Sequence, residues 1–99
     1  MSLNVVLRPE AASDLLSARE WYELQRPGLG DEFANIVDEF LSQISSWPES
    51  HAVVFHGVRL ARLRRFPYVA YYRILANCIE LIAVLHGSRS PQTWRDRAQ

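Results

Sequence analysis

Pro48 divides the chain into two halves with different hydrophobic periods, and this change of period is what most restricts the fold. Before it, Ala11, Leu15, Ala18 and Tyr22 recur at helical spacing and line one face of an α-helix. Pro9 suits the start of that helix, because the first turn does not need the missing N–H. Glu10 and Asp14 lie in the early turns, where carboxylates complement the helix dipole. Arg26-Pro27-Gly28-Leu29-Gly30 supplies a turn. A second helical face then runs through Leu29, Phe33, Ile36, Phe40, Ile44 and Trp47 until Pro48 stops it. Two amphipathic helices joined by so short a loop are predicted to pack as an antiparallel hairpin.

The rest of the chain has the pattern of strands. Residues 3–8 form a short apolar run consistent with a first strand, and residues 51–55, 58–66, 68–75 and 79–86 read as four more. Gly57, Pro67 and Asn77 mark the turns between the last four. The segment Tyr68-Val69-Ala70-Tyr71-Tyr72 is apolar on both alternating faces, which predicts a central strand buried on both sides. The expected architecture is α+β in the order β-α-α-β-β-β. It has a mostly antiparallel sheet of four to five strands, an N-terminal helical hairpin packed on one face, and Pro91 to Arg97 as a short C-terminal helix or tail. At 99 residues the chain is expected to be a single domain, burying roughly 60–65% of its unfolded surface.

Charge is divided as sharply as period. Residues 1–50 hold three arginines against nine carboxylates, a net −6, and residues 51–99 hold eight arginines against two carboxylates, a net +6. Either the halves neutralise each other within the fold, or the basic half meets an anionic partner. All the cations are arginine, which suits bidentate recognition of carboxylate or phosphate. No apolar run approaches the roughly 20 residues needed to cross a bilayer, and the N-terminus has no signal-peptide pattern. Cys78 is the single cysteine, so no internal disulfide is expected and a reducing cytoplasm is the expected location. His51, His56 and His86 are scattered, so neither a metal nor a cofactor is expected.

The residues that could carry function lie in the basic half. Arg62, Arg64 and, with an offset, Arg59 are predicted to project in a row from one strand. Arg65 has the other parity, Arg89 follows the last strand, and Arg95 and Arg97 stand in the tail. Such cations could stabilise a phosphodiester transition state or dock an acidic peptide or phosphate backbone. His86 is the one nearby group whose ordinary range lies near neutrality, and as a lone histidine at a strand end it reads first as structural. Trp94 is either a binding anchor or a ring folded back on the core. Tyr71 and Tyr72 read as packing.

Taken in order, several segments resemble the RelE/ParE superfamily of type II toxin–antitoxin toxins, from plasmid stabilization systems. These are Pro9-Glu10-Ala11 through Asp14-Leu15, Trp21-Tyr22-Glu23, Pro27-Gly28-Leu29-Gly30 with Phe33, Arg64-Arg65-Phe66-Pro67-Tyr68 through Ile74, and Ile82 through His86-Gly87-Ser88-Arg89-Ser90-Pro91 with Trp94-Arg95. The resemblance implies a cytoplasmic bacterial toxin neutralised by a cognate antitoxin, assembled as a homodimer or a toxin–antitoxin hetero-oligomer. It also implies a target, either DNA gyrase in ParE-like members or ribosome-bound mRNA in RelE-like endoribonucleases. A third implication is a non-toxic member that only binds antitoxin. The C-terminal tyrosine and the lysine pair of the nuclease type are absent, which favours the ParE-like branch. Arg65, Arg89 and His86 are the catalytic candidates if RNA is cut. Arg62, Arg64, Arg65, Arg89, Trp94 and Arg95 are the expected target contacts, and Trp21, Tyr22, Phe33, Arg59 and Arg73 the expected antitoxin contacts.

Overall fold

The computed structural model describes residues 2–99. A strand β1 (Asn4–Leu7) leads into helix α1 (Pro9–Gln25) and helix α2 (Leu29–Ser46). After a single 3₁₀ turn at Pro48–Ser50 come β2 (Val53–Phe55), β3 (Val58–Arg62), β4 (Tyr68–Ile74), β5 (Cys78–His86) and a last helix, α3 (Pro91–Ala98). The strands form one sheet in the order β1-β5-β4-β3-β2. β1 runs parallel to β5 and every other pairing is antiparallel. The α+β class, the helical hairpin and the mostly antiparallel sheet are those expected from the two hydrophobic periods.

β4 has cover on both faces, as its unbroken apolar run requires. Ala70 and Tyr72 face the hairpin and join Ala11, Ala18, Tyr22, Phe33 and Ile44 in the larger core. Val69 and Tyr71 face the opposite way and pack with Val58, Ile82, Leu85, Trp94 and Ala98 beneath α3. The register between β4 and β5 slips at Tyr71/Tyr72, so that Tyr71 faces Ala83 while Tyr72 faces Leu81. The extra residue is Ile82, a β-bulge that turns the end of β5. Tyr72 is fully buried, and its hydroxyl donates to the Pro48 carbonyl at 2.7 Å, fixing the turn that ends the helical half.

Two boundaries differ from the sequence reading, each for a local reason. β3 ends at Arg62, not at Phe66. Arg65 takes a left-handed φ of 74°, which no strand accommodates, and the backbone turns so that the Phe66 N–H reaches the Arg64 carbonyl at 2.9 Å. Phe66 thereby enters the core against Tyr22 and Phe33. Arg64 consequently does not share a strand row with Arg62. Trp47, expected on the buried face of α2, is 70% exposed. Pro48 ends the helix at Ser46, and Trp47 leaves it with φ −133°.

The hairpin turn is held by a carboxylate. Glu23 on α1 accepts the N–H of Gly28 at 2.9 Å and of Gly30 at 3.0 Å, serving donors that the first turn of α2 leaves unpaired. Gly28 sits at φ 90°, where a side chain would be strained. A Cβ on Gly30 would lie 2.8 Å from the Arg19 carbonyl, so the two helices meet backbone to backbone there. Glu23→Ala is expected to lower unfolding stability by about 1 kcal/mol through loss of this cap. Gly30→Ala is expected to cost about 1–3 kcal/mol because the helices must separate. Urea unfolding midpoints of the two variants check both values.

Candidate functional site

The eight arginines of the basic half divide by partner. Arg64 pairs with Glu39 at 2.7 Å and Arg65 with Glu32 at 2.6 Å, both acids of α2. Glu32 also receives Arg26 at 2.8 Å, and the hydrogen bonds from Arg65 and Arg26 hold its carboxyl below the ordinary value. Arg59 donates to the His51 carbonyl at 2.6 Å. Arg73 and Arg97 are bound within ion pairs described below. Arg62, Arg89 and Arg95 remain, exposed and without an ion pair among the described residues. Neutralisation within the fold therefore accounts for part of the charge division and leaves these three arginines outside it.

Most of the paired arginines tie elements together. Glu80 on β5 accepts from Arg8 at 3.1 Å and from Arg73 at 3.2 Å. Arg8 also donates to the Arg97 carbonyl, and Arg73 donates to the Ala98 carbonyl at 3.1 Å. Two cations thus meet the C-terminal end of α3, where the helix dipole is negative and carbonyls lack partners. From inside α3, Arg97 reaches both oxygens of Asp14 on α1 at 2.7 and 3.2 Å. Trp94, 5% exposed, stacks on Tyr71 with ring centroids 4.6 Å apart. The tail is a helix, and its tryptophan is folded back on the core.

The two motifs that looked most distinctive in the sequence meet at one end of the sheet. Tyr68 pairs with His86 across β4 and β5, their rings in edge contact at 5.5 Å, and the Gly87 N–H donates to the Pro67 carbonyl at 2.8 Å. His86 Nδ1 accepts the N–H of Ser88 at 3.1 Å and lies 2.8 Å from its hydroxyl. Ser90 caps α3 by accepting from the Gln92 N–H. Arg89 stands between these two turns. On the opposite face of the sheet, Arg95 lies over the rings of Phe55 and Trp94, 5.2 and 5.4 Å from their centroids.

Of the residues expected to meet an antitoxin, Tyr22 and Phe33 are buried at 8% and 1% exposure, and Arg59 and Arg73 are engaged as above. Trp21 alone presents a ring to solvent, at 55% exposure. The sequence reading missed a second apolar feature: a groove of about 310 Å³ between α1 and α2, with Leu15, Leu16, Val37 and Leu41 among its lining residues. Its signal was present in Ala12 with Leu16 and Ala34 with Leu41, a second line on each helix beside the core face.

This architecture and its motifs agree with known proteins. Residues 5–91 match the family described as the ParE toxin of the type II toxin–antitoxin system parDE. The chain belongs to the ParE toxin family. It is 33% identical over 79 residues to Toxin ParE2 of Mycobacterium tuberculosis, in strains CDC 1551 / Oshkosh and ATCC 25618 / H37Rv. That match covers 79% of this chain and 75% of each relative. The fold is also that of a chain of the chromosomal ParDE toxin–antitoxin system from P. aeruginosa, with a TM-score of 0.64 at 18% identity, covering 86% of this chain and 96% of the other. The match to the ParE toxin family stops at Pro91, the first residue of α3, so the rest of that helix, with Trp94 and Arg97, lies beyond it. Among the described residues, no helix of this ParE-family toxin is long and apolar enough to cross a membrane.

Burial raises the Glu80 carboxyl, but hydrogen bonds from Arg8 and Arg73 outweigh it and leave the group below its ordinary 4.5. A carboxyl depressed in the folded state stabilises above its unfolded value and loses that contribution as pH falls through the folded one. Glu80→Ala is therefore expected to cost about 2–3 kcal/mol near neutral pH, because two part-buried guanidiniums lose their partner. The loss should shrink between about pH 5 and pH 3. Chemical unfolding of both proteins across that range checks the size and the sign.

Proposed function

We propose that this ParE-family chain is the toxin of a type II toxin–antitoxin module, neutralised by a cognate antitoxin, and that it acts by binding DNA gyrase. The observation that carries the reading is the set of exposed arginines, Arg62, Arg89 and Arg95, which have no ion pair among the described residues. General acid–base cleavage needs two titratable groups within hydrogen-bond reach of the reacting atoms. His86 has Nδ1 occupied by Ser88. Tyr71 and Tyr72 are buried, and burial raises both phenols above their ordinary value. Trp94 occupies the tail region where the nuclease type carries a tyrosine, and its ring is buried. Free cations fit a surface that holds a protein partner. Arg64 and Arg65 can join it by exchanging Glu39 and Glu32 for a partner's carboxylates, since exposed ion pairs are held by only about 0–1 kcal/mol.

The groove between α1 and α2, with Trp21 farther along α1, supports antitoxin docking in the same way. An amphipathic helix could bury its apolar face there against Leu16 and Leu41.

In a supercoiling reaction, low-micromolar purified toxin is expected to inhibit gyrase. Cognate antitoxin, added in equimolar amount, should restore activity. Arg62→Gln, Arg89→Gln and Arg95→Gln combined are expected to weaken inhibition at least about tenfold while the protein stays folded. Full supercoiling at micromolar toxin, with mRNA cut on translating ribosomes, would transfer the assignment to the endoribonuclease reading. Neither activity, with antitoxin still bound, would leave only the antitoxin-binding role.

A further inference from the structure

The turn that follows β5 sets a serine on a histidine. The Arg89 N–H donates to the His86 carbonyl at 2.9 Å, which folds residues 86–89 into a β-turn, and the Gly87 N–H is held by the Pro67 carbonyl just before β4. Ser88 therefore stands at the tip of a fixed turn, exposed. Its N–H donates to His86 Nδ1 at 3.1 Å, and its hydroxyl lies 2.8 Å from the same nitrogen. A backbone N–H can only donate, so Nδ1 carries a bare lone pair and the ring proton is on Nε2. The hydroxyl is then the donor of the second contact, and the neutral imidazole is a base resting on the Ser88 proton.

A serine in this contact is a better nucleophile than a free one, because its departing proton already has an acceptor in place. Three other serines with hydrogen-bonded side chains differ from it. Ser50 meets His51 Nδ1 at a longer 3.2 Å, and the Gln43 amide donates to its oxygen at 2.8 Å. Ser45 donates to the Leu3 carbonyl at 2.7 Å, and Ser90 uses its oxygen to cap α3. Ser88 also adjoins Arg89, a guanidinium that is exposed and has no ion pair among the described residues. A hydroxyl with a base behind it and a guanidinium beside it suits the transfer of a phosphoryl group, whose oxygens match the forked donors of arginine.

We propose that Ser88 is a phosphoryl-acceptor site, served by a protein kinase and a nucleoside triphosphate, and that the phosphoserine formed there occupies Arg89. In the step, the Ser88 oxygen bonds to the γ-phosphorus, the bond from that phosphorus to the β,γ-bridging oxygen breaks, and the nucleoside diphosphate leaves with the electron pair. The Ser88 proton passes to His86 Nδ1 and from there to solvent. The product places a charge of about −1.5 to −2 beside the guanidinium and withdraws Arg89 from other anionic partners. This effect on the target rests on the gyrase-directed reading above; the acceptor chemistry does not.

Three measurements on the whole protein test the proposal. With γ-labelled ATP and an extract of the native host cell, the parent is expected to take up label at Ser88 and Ser88→Ala to take up none, read by peptide mass spectrometry. A fluorophosphonate, a phosphorus electrophile that needs no kinase, is expected to label Ser88 ahead of every other serine, and His86→Gln at least about tenfold more slowly. The labelling rate of the parent should rise with pH in step with loss of the His86 ring proton, followed by NMR beside Tyr68, Asp14 and Arg89, which line the same cleft. Unchanged resonances elsewhere will show that the variants are folded. Ser88→phosphoserine is expected to weaken gyrase inhibition about as much as Arg89→Gln does, whereas Ser88→Ala inhibits as the parent does. No transfer from ATP, labelling of serines without preference, or a rate indifferent to His86→Gln would overturn the acceptor site. Inhibition undiminished by Ser88→phosphoserine would overturn the withdrawal of Arg89. A parent that fails to inhibit gyrase yet takes the phosphoryl group at Ser88 would sink the proposed target and support the acceptor site.

Discussion

A sheet whose central strand is apolar on both faces must be covered on both sides, and a 99-residue chain has little left with which to do it. The hairpin of α1 and α2 covers one face with two long helices. The other face has only α3, an eight-residue helix, too short to be stable alone. It holds its place because Trp94 stacks on Tyr71 and because Arg8, Arg73 and Arg97 tie its backbone and side chains to β5 and α1. Glu80 is central to this arrangement, since it orients both guanidiniums that meet the helix end. The Nε of Arg73, buried in the same cluster, has no hydrogen-bond partner among the described residues.

This use of arginine explains the charge asymmetry. Five of the eight arginines in the basic half are engaged inside the molecule, with Glu32, Glu39, Glu80, Asp14 or backbone carbonyls. Three are not, and they lie toward the ends of the sheet and beside α3. Membership of the ParE toxin family gives this division a meaning. Paired arginines build the domain, and the unpaired ones are those proposed above to meet its target. Arg64 and Arg65 lie between these classes, being paired but exposed, and their acids are on α2.

Much of the fold was legible because long periodic segments state their own period. Residues 9–25 and 29–46 had a helical face and a proline or glycine at their limits, and Tyr68 to Ile74 had no polar face at all. What failed was local. Nothing in Leu63-Arg64-Arg65-Phe66 announces that Arg65 turns left-handed, because the turn exists to place Phe66 between Tyr22 and Phe33. The candidate site was less legible for the same reason. The sequence counts arginines but does not say which acids they reach across 33 or 83 residues, as Arg65 reaches Glu32 and Arg97 reaches Asp14.

The division of the arginines is tested most directly by replacing each of the eight with glutamine and measuring melting temperature and growth arrest for every variant. The account predicts that Arg73→Gln and Arg97→Gln melt several degrees lower. Arg62→Gln, Arg89→Gln and Arg95→Gln should melt as the parent does and lose toxicity. Loss of toxicity that follows loss of stability across all eight, with none separating the two, would contradict it.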